Sequence, residues 1–313
     1  MDTVLLVIQF LNGLQLGVLL FLVAAGLTLI FGIMDFINLA HGAFYMVGAY
    51  FCATLAAPLD ALLPGFGFVL AILLAVPLTL AVGFVAELVA ARSLYLRDHL
   101  DHVLATFGLI LIFDTTVHLI WGAEGMVIQL PSWLNGRIAL TADIEVPSYR
   151  VAIISVGLAV AVGLYVLVTK TRVGMLIRAG ASNRTMVQAL GVNIKSLFTL
   201  VFATGAAIAG LAGMMIAPIT EASIGMGNDV IIAAFVVIII GGVGSVKGAF
   251  VGAMIVGMID TLGRSYLDQF LKLFMSEGNA ETAAPALSSM LVYILMASIL
   301  AVRPQGLFPP KVR

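Results

Sequence analysis

Asp35, Asn38 and His41 crowd into one stretch, GIMDFINLAHGA, while Glu87, Asp114 and Asp260 each stand alone inside a long apolar run. Carboxylates and imidazoles in apolar surroundings are costly and face a cavity or a partner. Asp114 has His118 one turn away on the same helical face, a spacing that suits a proton relay. The other reading of Asp114 and Asp260 is helix packing through hydrogen bonds, and it is the one preferred. Glu87 lies near the end of its run, so a structural role at the interface is expected. The Asp35 cluster reads in two ways. A helix broken at Gly32, with Asp35, Asn38, His41 and Gly42 following, would leave backbone N–H and C=O groups free. Such groups are tolerated at membrane depth only inside protein or beside water. The same residues could instead make a tight turn capped by Asp and Asn.

Nothing points to covalent chemistry or to a cofactor held by the chain. The single cysteine, Cys52, excludes an internal disulfide and a cysteine-clustered metal site, and its apolar setting reads as a small buried hydrophobe. The stretch GGVGSVK (241–247) is glycine-rich and ends in lysine, but its spacing does not match G-x-x-x-x-G-K-[ST]. No metal site, no ATP hydrolysis and no enzyme activity are expected here.

The elements that must position these residues are membrane helices. The chain is 62% hydrophobic and 10% charged, with a mean hydropathy of +1.17, where soluble chains carry about 25% charged residues. A net charge of −1 suits neither nucleic acid nor an acidic ligand. Asp2 stands where a signal peptide would be basic, and Thr3 to Met34 runs without a charge, so a first span rather than a cleaved leader is expected. The reading is an all-α polytopic bundle in a single domain, 1–313, of about nine spans: 4–33, 36–57, 66–90, 102–121, 150–169, 196–217, 229–242, 249–268 and 285–302. The first is long enough to imply tilt or a break, and the seventh is short.

Orientation follows from lysine and arginine. The loop 170–195 is the densest in positive charge, and no Asp or Glu occurs from Val151 to Thr220. Holding that loop in the cytoplasm places Arg92, Arg97, Lys247, Arg303, Lys311 and Arg313 on the same side and leaves Arg137, Arg150, Arg264 and Lys272 opposite. The N-terminus is then outside and the C-terminus inside. A re-entrant seventh segment would put Arg303, Lys311 and Arg313 outside and is rejected. Within the loop, Asn183 or Ser182 can cap a helix over RTMVQAL, with Gly191 as its left-handed stop. Met186, Val187 and Leu190 would share one side, offered to a partner; the alternative is a solvated loop that only fixes topology. Outside, the segment 122–149 alternates in MVIQL and IALTADIEV around turns at Pro131 and Asn135-Gly136, which suggests a β-hairpin or an irregular loop. His41-Gly-Ala-Phe-Tyr-Met-Val-Gly-Ala also echoes Lys247-Gly-Ala-Phe-Val-Gly-Ala, a hint of an internal repeat.

Three motifs in order carry a resemblance. R-x-G-x-x-x-R-A followed by N-x-x-x-x-x-A-L-G-V (Arg172, Gly174, Arg178, Ala179, Asn183, Ala189, Leu190, Gly191, Val192) resembles the coupling region of ABC importer permeases of the branched-chain amino-acid type, the LivH family. Gly26–Tyr50 is similar to that family's N-terminal signature, and RPQGLF (Arg303–Phe308) to its C-terminal one. The resemblance implies an ABC importer permease fold in a bacterial inner membrane, surrounded by lipid. It implies a second homologous permease, two ATPase subunits that hold ATP and Mg, and a periplasmic binding protein received at the 122–149 face. Arg172, Gly174, Arg178, Asn183, Met186, Val187, Leu190 and Gly191 would couple the chain to the ATPase, and Asp35, Asn38, His41 and Gly42 would border the translocation path. Branched-chain amino acids are the leading substrates, with urea, short amides and aromatic acids as alternatives. A proton-coupled carrier using Asp114 and Asp260 is the reading from another class.

Overall fold

The computed structural model describes residues 3–95, 97–141 and 144–308; Asp2, Asp143, Lys311 and Arg313 lie outside the described residues. Every expected span is a helix: α1 Thr3–Met34, α2 His41–Leu62, α3 Gly67–Leu94, α4 His99–Trp121, α5 Ser148–Lys170. Two shorter helices, α6 Arg172–Ser182 and α7 Arg184–Ala189, fill the basic loop. The chain continues through α8 Ile194–Thr220, α9 Met226–Gly241, α10 Val246–Leu271 and α11 Glu277–Val302. Eight of these are long and apolar enough to cross a membrane, and α9, with 16 residues, is shorter.

α1, α2 and α8 form the centre. Each is apolar around its whole circumference, as a helix must be when neighbours cover every side, and most of each is buried. α3, α4, α5, α10 and α11 surround them and turn leucine, valine and phenylalanine outward. Between apolar helices in lipid, close contact rather than water exclusion holds the bundle. Cys52 is buried and free, as its setting implied.

α1 is continuous past Gly32, so the expected break at that glycine is corrected. A Cβ on Gly32 would sit 2.6 Å from the Gly244 Cα, and it is close packing there, not chain breaking, that uses the glycine. The helix stops at Met34, and Asp35 turns the chain with φ +51°, a conformation that Asp tolerates. Residues 35–40 then run back into the protein. Asp35 stays at the end of α1, where its carboxylate lies 4.0 Å from His99 Nε2 at the start of α4. By Leu39 the chain has reached Thr106, whose Oγ1 accepts from the Leu39 N–H at 3.2 Å. His41 Nε2–H donates to the Val23 carbonyl at 3.2 Å. Val23 lies about three turns, or roughly 16 Å, back along α1 from Met34. α2 therefore starts well inside an apolar layer of about 30 Å.

α9 starts at the same depth. Gly42 and Gly227 touch so closely that a Cβ on either would run into the other's carbonyl oxygen. From this point the two helices run apart. α2 rises to the end where Trp121 Nε1–H donates to Thr54 Oγ1 at 2.7 Å. α9 descends to the basic end, where the Ile240 and Gly241 carbonyls accept from the Leu307 and Phe308 N–H groups, each at 2.9 Å. The RPQGLF stretch thus closes the end of α9. Thr220, the last residue of α8, lies by the Met126–Ala222 bridge at the other end. The seventh segment accordingly passes through rather than returning, with an irregular stretch, 221–225, making up its missing length.

The expected β-hairpin is present but placed differently. β1 (Arg137–Thr141) pairs antiparallel with β2 (Ile144–Pro147), Ile138 opposite Val146. MVIQL is not its second strand, because Met126 pairs with Ala222 instead. The two echoing stretches open α2 and α10.

Candidate functional site

The basic loop is built from two capped helices. Thr171 Oγ1 accepts from the Gly174 N–H at 3.0 Å and starts α6. Gly174 is buried against the last carbonyls of α5, so close to the Leu167 oxygen that no side chain fits. Asn183, not Ser182, caps α7, its Oδ1 accepting from the Met186 N–H at 2.9 Å. Gly191 ends the turn with φ +83°, the left-handed stop that glycine adopts without strain. Arg172 and Arg178 are exposed.

The two apolar residues Met186 and Val187 of α7 and Leu190, which caps its C-terminal end, do not act alike. Met186 and Leu190 are 59% and 76% exposed, whereas Val187 is 6% exposed and belongs to the main core. The shared face expected from spacing is therefore split: Val187 anchors α7, and Met186 and Leu190 stand out from it. Val173 and Met175 of α6 add exposed apolar surface at the same end. The result is a basic surface with protruding apolar side chains on short, rigidly capped helices, suited to seating in a groove.

The second candidate is the break at 35–42. Asp35 is exposed, but Asn38 and His41 have no solvent exposure at all. Among the described residues, neither Asn38 Nδ2 nor Asn38 Oδ1 has a hydrogen-bond partner, and His41 Nδ1 is also unpartnered. α2 has no side-chain cap over its first N–H groups. A buried amide without partners costs on the order of 1–3 kcal/mol. Such groups at membrane depth mark a place where polar matter is accommodated.

The isolated acids are accounted for locally. Asp260 binds Arg264 Nε through both oxygens at 3.0 Å, one helical turn on. Asp114 faces the Asn228 side chain at the start of α9. Glu87 departs from expectation: it is fully buried rather than reaching the interface. Arg92 pairs with it at 3.2 Å, and the Tyr95 hydroxyl donates to it. Sequence spacing misses this cluster, because Glu87 and Arg92 are five apart, out of register for an α-helical pair. A π-helical turn, Glu87–Ala91, within α3 brings them together.

A family described as branched-chain amino acid transport system / permease component matches residues 9–300. The high-affinity branched-chain amino acid transport permease protein LivH of Salmonella typhimurium is 30% identical over 275 residues, covering 83% of this chain and 86% of that protein. LivH of Escherichia coli matches to the same extent, and BraD of Pseudomonas aeruginosa is 31% identical over 268 residues, covering 82% of this chain and 85% of its own. No solved structure gives a significant match. With its apolar spans, a chain of this descent is a multi-pass protein of the inner membrane. It belongs to the permease component family of branched-chain amino acid transport systems.

Proposed function

We propose that this chain is the membrane-spanning permease subunit of an ATP-driven importer for branched-chain amino acids. The family match across residues 9–300 carries the reading, and the names of the relatives supply the substrate. The α6–α7 end faces the cytoplasm, since lysine and arginine near span ends resist translocation; the N-terminus is then outside and the C-terminus inside. Two ATPase subunits, which hold ATP and Mg, dock at the α6–α7 surface of this chain and of a second homologous permease. A periplasmic binding protein delivers the solute to the face that carries the β-hairpin.

The translocation path borders the break at 35–42. An amino acid is charged at both ends, and an entirely apolar route would cost it several kcal/mol. The unpartnered Asn38 amide and His41 Nδ1 supply polar groups near mid-depth. Closure of the ATPase pair on ATP moves α7, and the spans respond by exposing the break to one side and then the other. Competition against ATP-dependent uptake of labelled leucine by the reconstituted complex tests the substrate. Isoleucine and valine should compete; competition by urea, short amides or aromatic acids in their place would redirect the assignment within the family.

Asp114 and Asp260 serve packing in this account, so Asp114→Asn and Asp260→Asn should each cost under about 1 kcal/mol of stability and leave uptake nearly intact. A proton relay would not survive either change. Loss of uptake with folding intact and the ATPase subunits still bound would contradict the packing role of these two acids.

A further inference from the structure

The coupling surface and the break are joined by an unbroken series of side-chain contacts. The Arg184 guanidinium, on the first residue of α7, lies 5.5 Å over the Phe198 ring of α8. Phe198 meets Tyr95 edge-on at 5.2 Å, and Tyr95 meets Phe36 edge-on at 6.5 Å. Phe36 lies in the break itself and packs on His102 at 4.5 Å. His102 Nε2–H in turn donates to the Leu94 carbonyl at 2.9 Å, which ties α4 to the end of α3.

A buried charge sits in the middle of this series. Glu87 receives the Tyr95 hydroxyl and the Arg92 guanidinium, and Arg92 also donates to Thr199 Oγ1 of α8 at 2.8 Å. An unpaired carboxylate in that position would be strongly disfavoured. The pairing exists because of the π-helical turn Glu87–Ala91. Relaxation of that turn to α geometry rotates everything after it about the helix axis and takes Arg92 and Tyr95 off Glu87. A π-helical turn has α geometry as its alternative, and coupling between distant sites requires an element with two discrete arrangements.

We propose that the π-helical turn, held by Glu87, Arg92 and Tyr95, is the relay that carries motion of α7 to the 35–40 break, with Glu87 and Tyr95 as positioning residues. The proposal rests on the reading of α7 as the ATPase dock. Motion of α7 shifts Phe198 through Arg184; Phe198 displaces Tyr95, which the Glu87 pairing otherwise holds, and Tyr95 moves Phe36.

Tyr95→Phe keeps every ring contact and removes only the hydroxyl; Glu87→Gln keeps the shape and removes the charge. In the reconstituted complex, ATPase retention, ATP hydrolysis and leucine uptake should be measured together. Both variants should keep the ATPase subunits and keep hydrolysing ATP, while uptake per ATP falls about tenfold, the factor implied by losing one hydrogen bond to a charged group. The double variant should do no worse than either single one, because both release the same turn. An unchanged uptake per ATP, or a fall in hydrolysis that matches the fall in uptake, would overturn the relay. If Glu87→Gln does not accumulate, Tyr95→Phe decides alone. Failure of the docking reading would look different: the ATPase subunits would stay on a complex carrying Met186→Asp with Leu190→Asp.

Discussion

Replacing Met186 and Leu190 together by Asp should abolish ATP-driven uptake while the protein still inserts and folds. Met186 projects from α7 and Leu190 from its C-terminal cap, both exposed, so neither change disturbs the bundle's own packing. Each removes an apolar anchor worth about 1.5–3 kcal/mol on burial in a partner and substitutes a charge that would have to be desolvated. ATPase binding should weaken at least a hundredfold, roughly the lower sum of the two anchors. Co-purification and uptake read the two consequences separately. Val187→Asp would not test the same point, since Val187 is buried in the core and its loss would unseat α7 itself. Normal transport by the Met186 and Leu190 double variant would contradict the docking role.

Gly42→Val should cost the fold itself. The α2 and α9 backbones meet at Gly42 and Gly227 with no room for a Cβ on either side. Backbones can yield only by moving whole helices, and α2 is held along its length by α3 and α8. Overpacking of a core costs about 1–3 kcal/mol when side chains can adjust; here they cannot, so the upper end or beyond is expected. Gly227→Val should behave alike. Gly108→Ala, at a position with nothing nearby, should be harmless. Yield and thermal stability of purified protein in detergent would distinguish them, and a stable Gly42→Val protein would mean that α2 and α9 do not meet as described.

The helices themselves were legible because charge-free runs and polar interruptions alternate along the chain at membrane length. The cap at Asn183 and the stop at Gly191 were legible for a local reason: each depends on one side chain and its nearest backbone. Depth was not legible. Apolar residues flank the break on both sides, and nothing in the residue types says that α2 begins beside Val23 rather than at the surface. The side of α7 that is buried was equally hidden, because Val187 points inward only through contact with neighbouring helices. Glu87 was misplaced for a third reason. An α-helical reading puts Arg92 on a different face, and the π-helical turn that reunites them has no sequence signature. MVIQL does not belong to the hairpin because Met126 pairs with Ala222, far along the chain, while both strands come from within and beside IALTADIEV.

Thiol labelling at the break tests most directly whether ATP at one end opens the membrane interior at the other. Cysteine at Asn38 or His41, in a Cys52→Ser background, should be assayed with a small polar thiol reagent in the assembled complex. The measurement compares nucleotide-free complex with complex closed by a non-hydrolysable ATP analogue. Both positions are without solvent exposure in this structure, so they should be unreactive in one of the two states and labelled readily in the other. Protection in both states would contradict the account, leaving 35–42 a packed turn and the translocation path elsewhere.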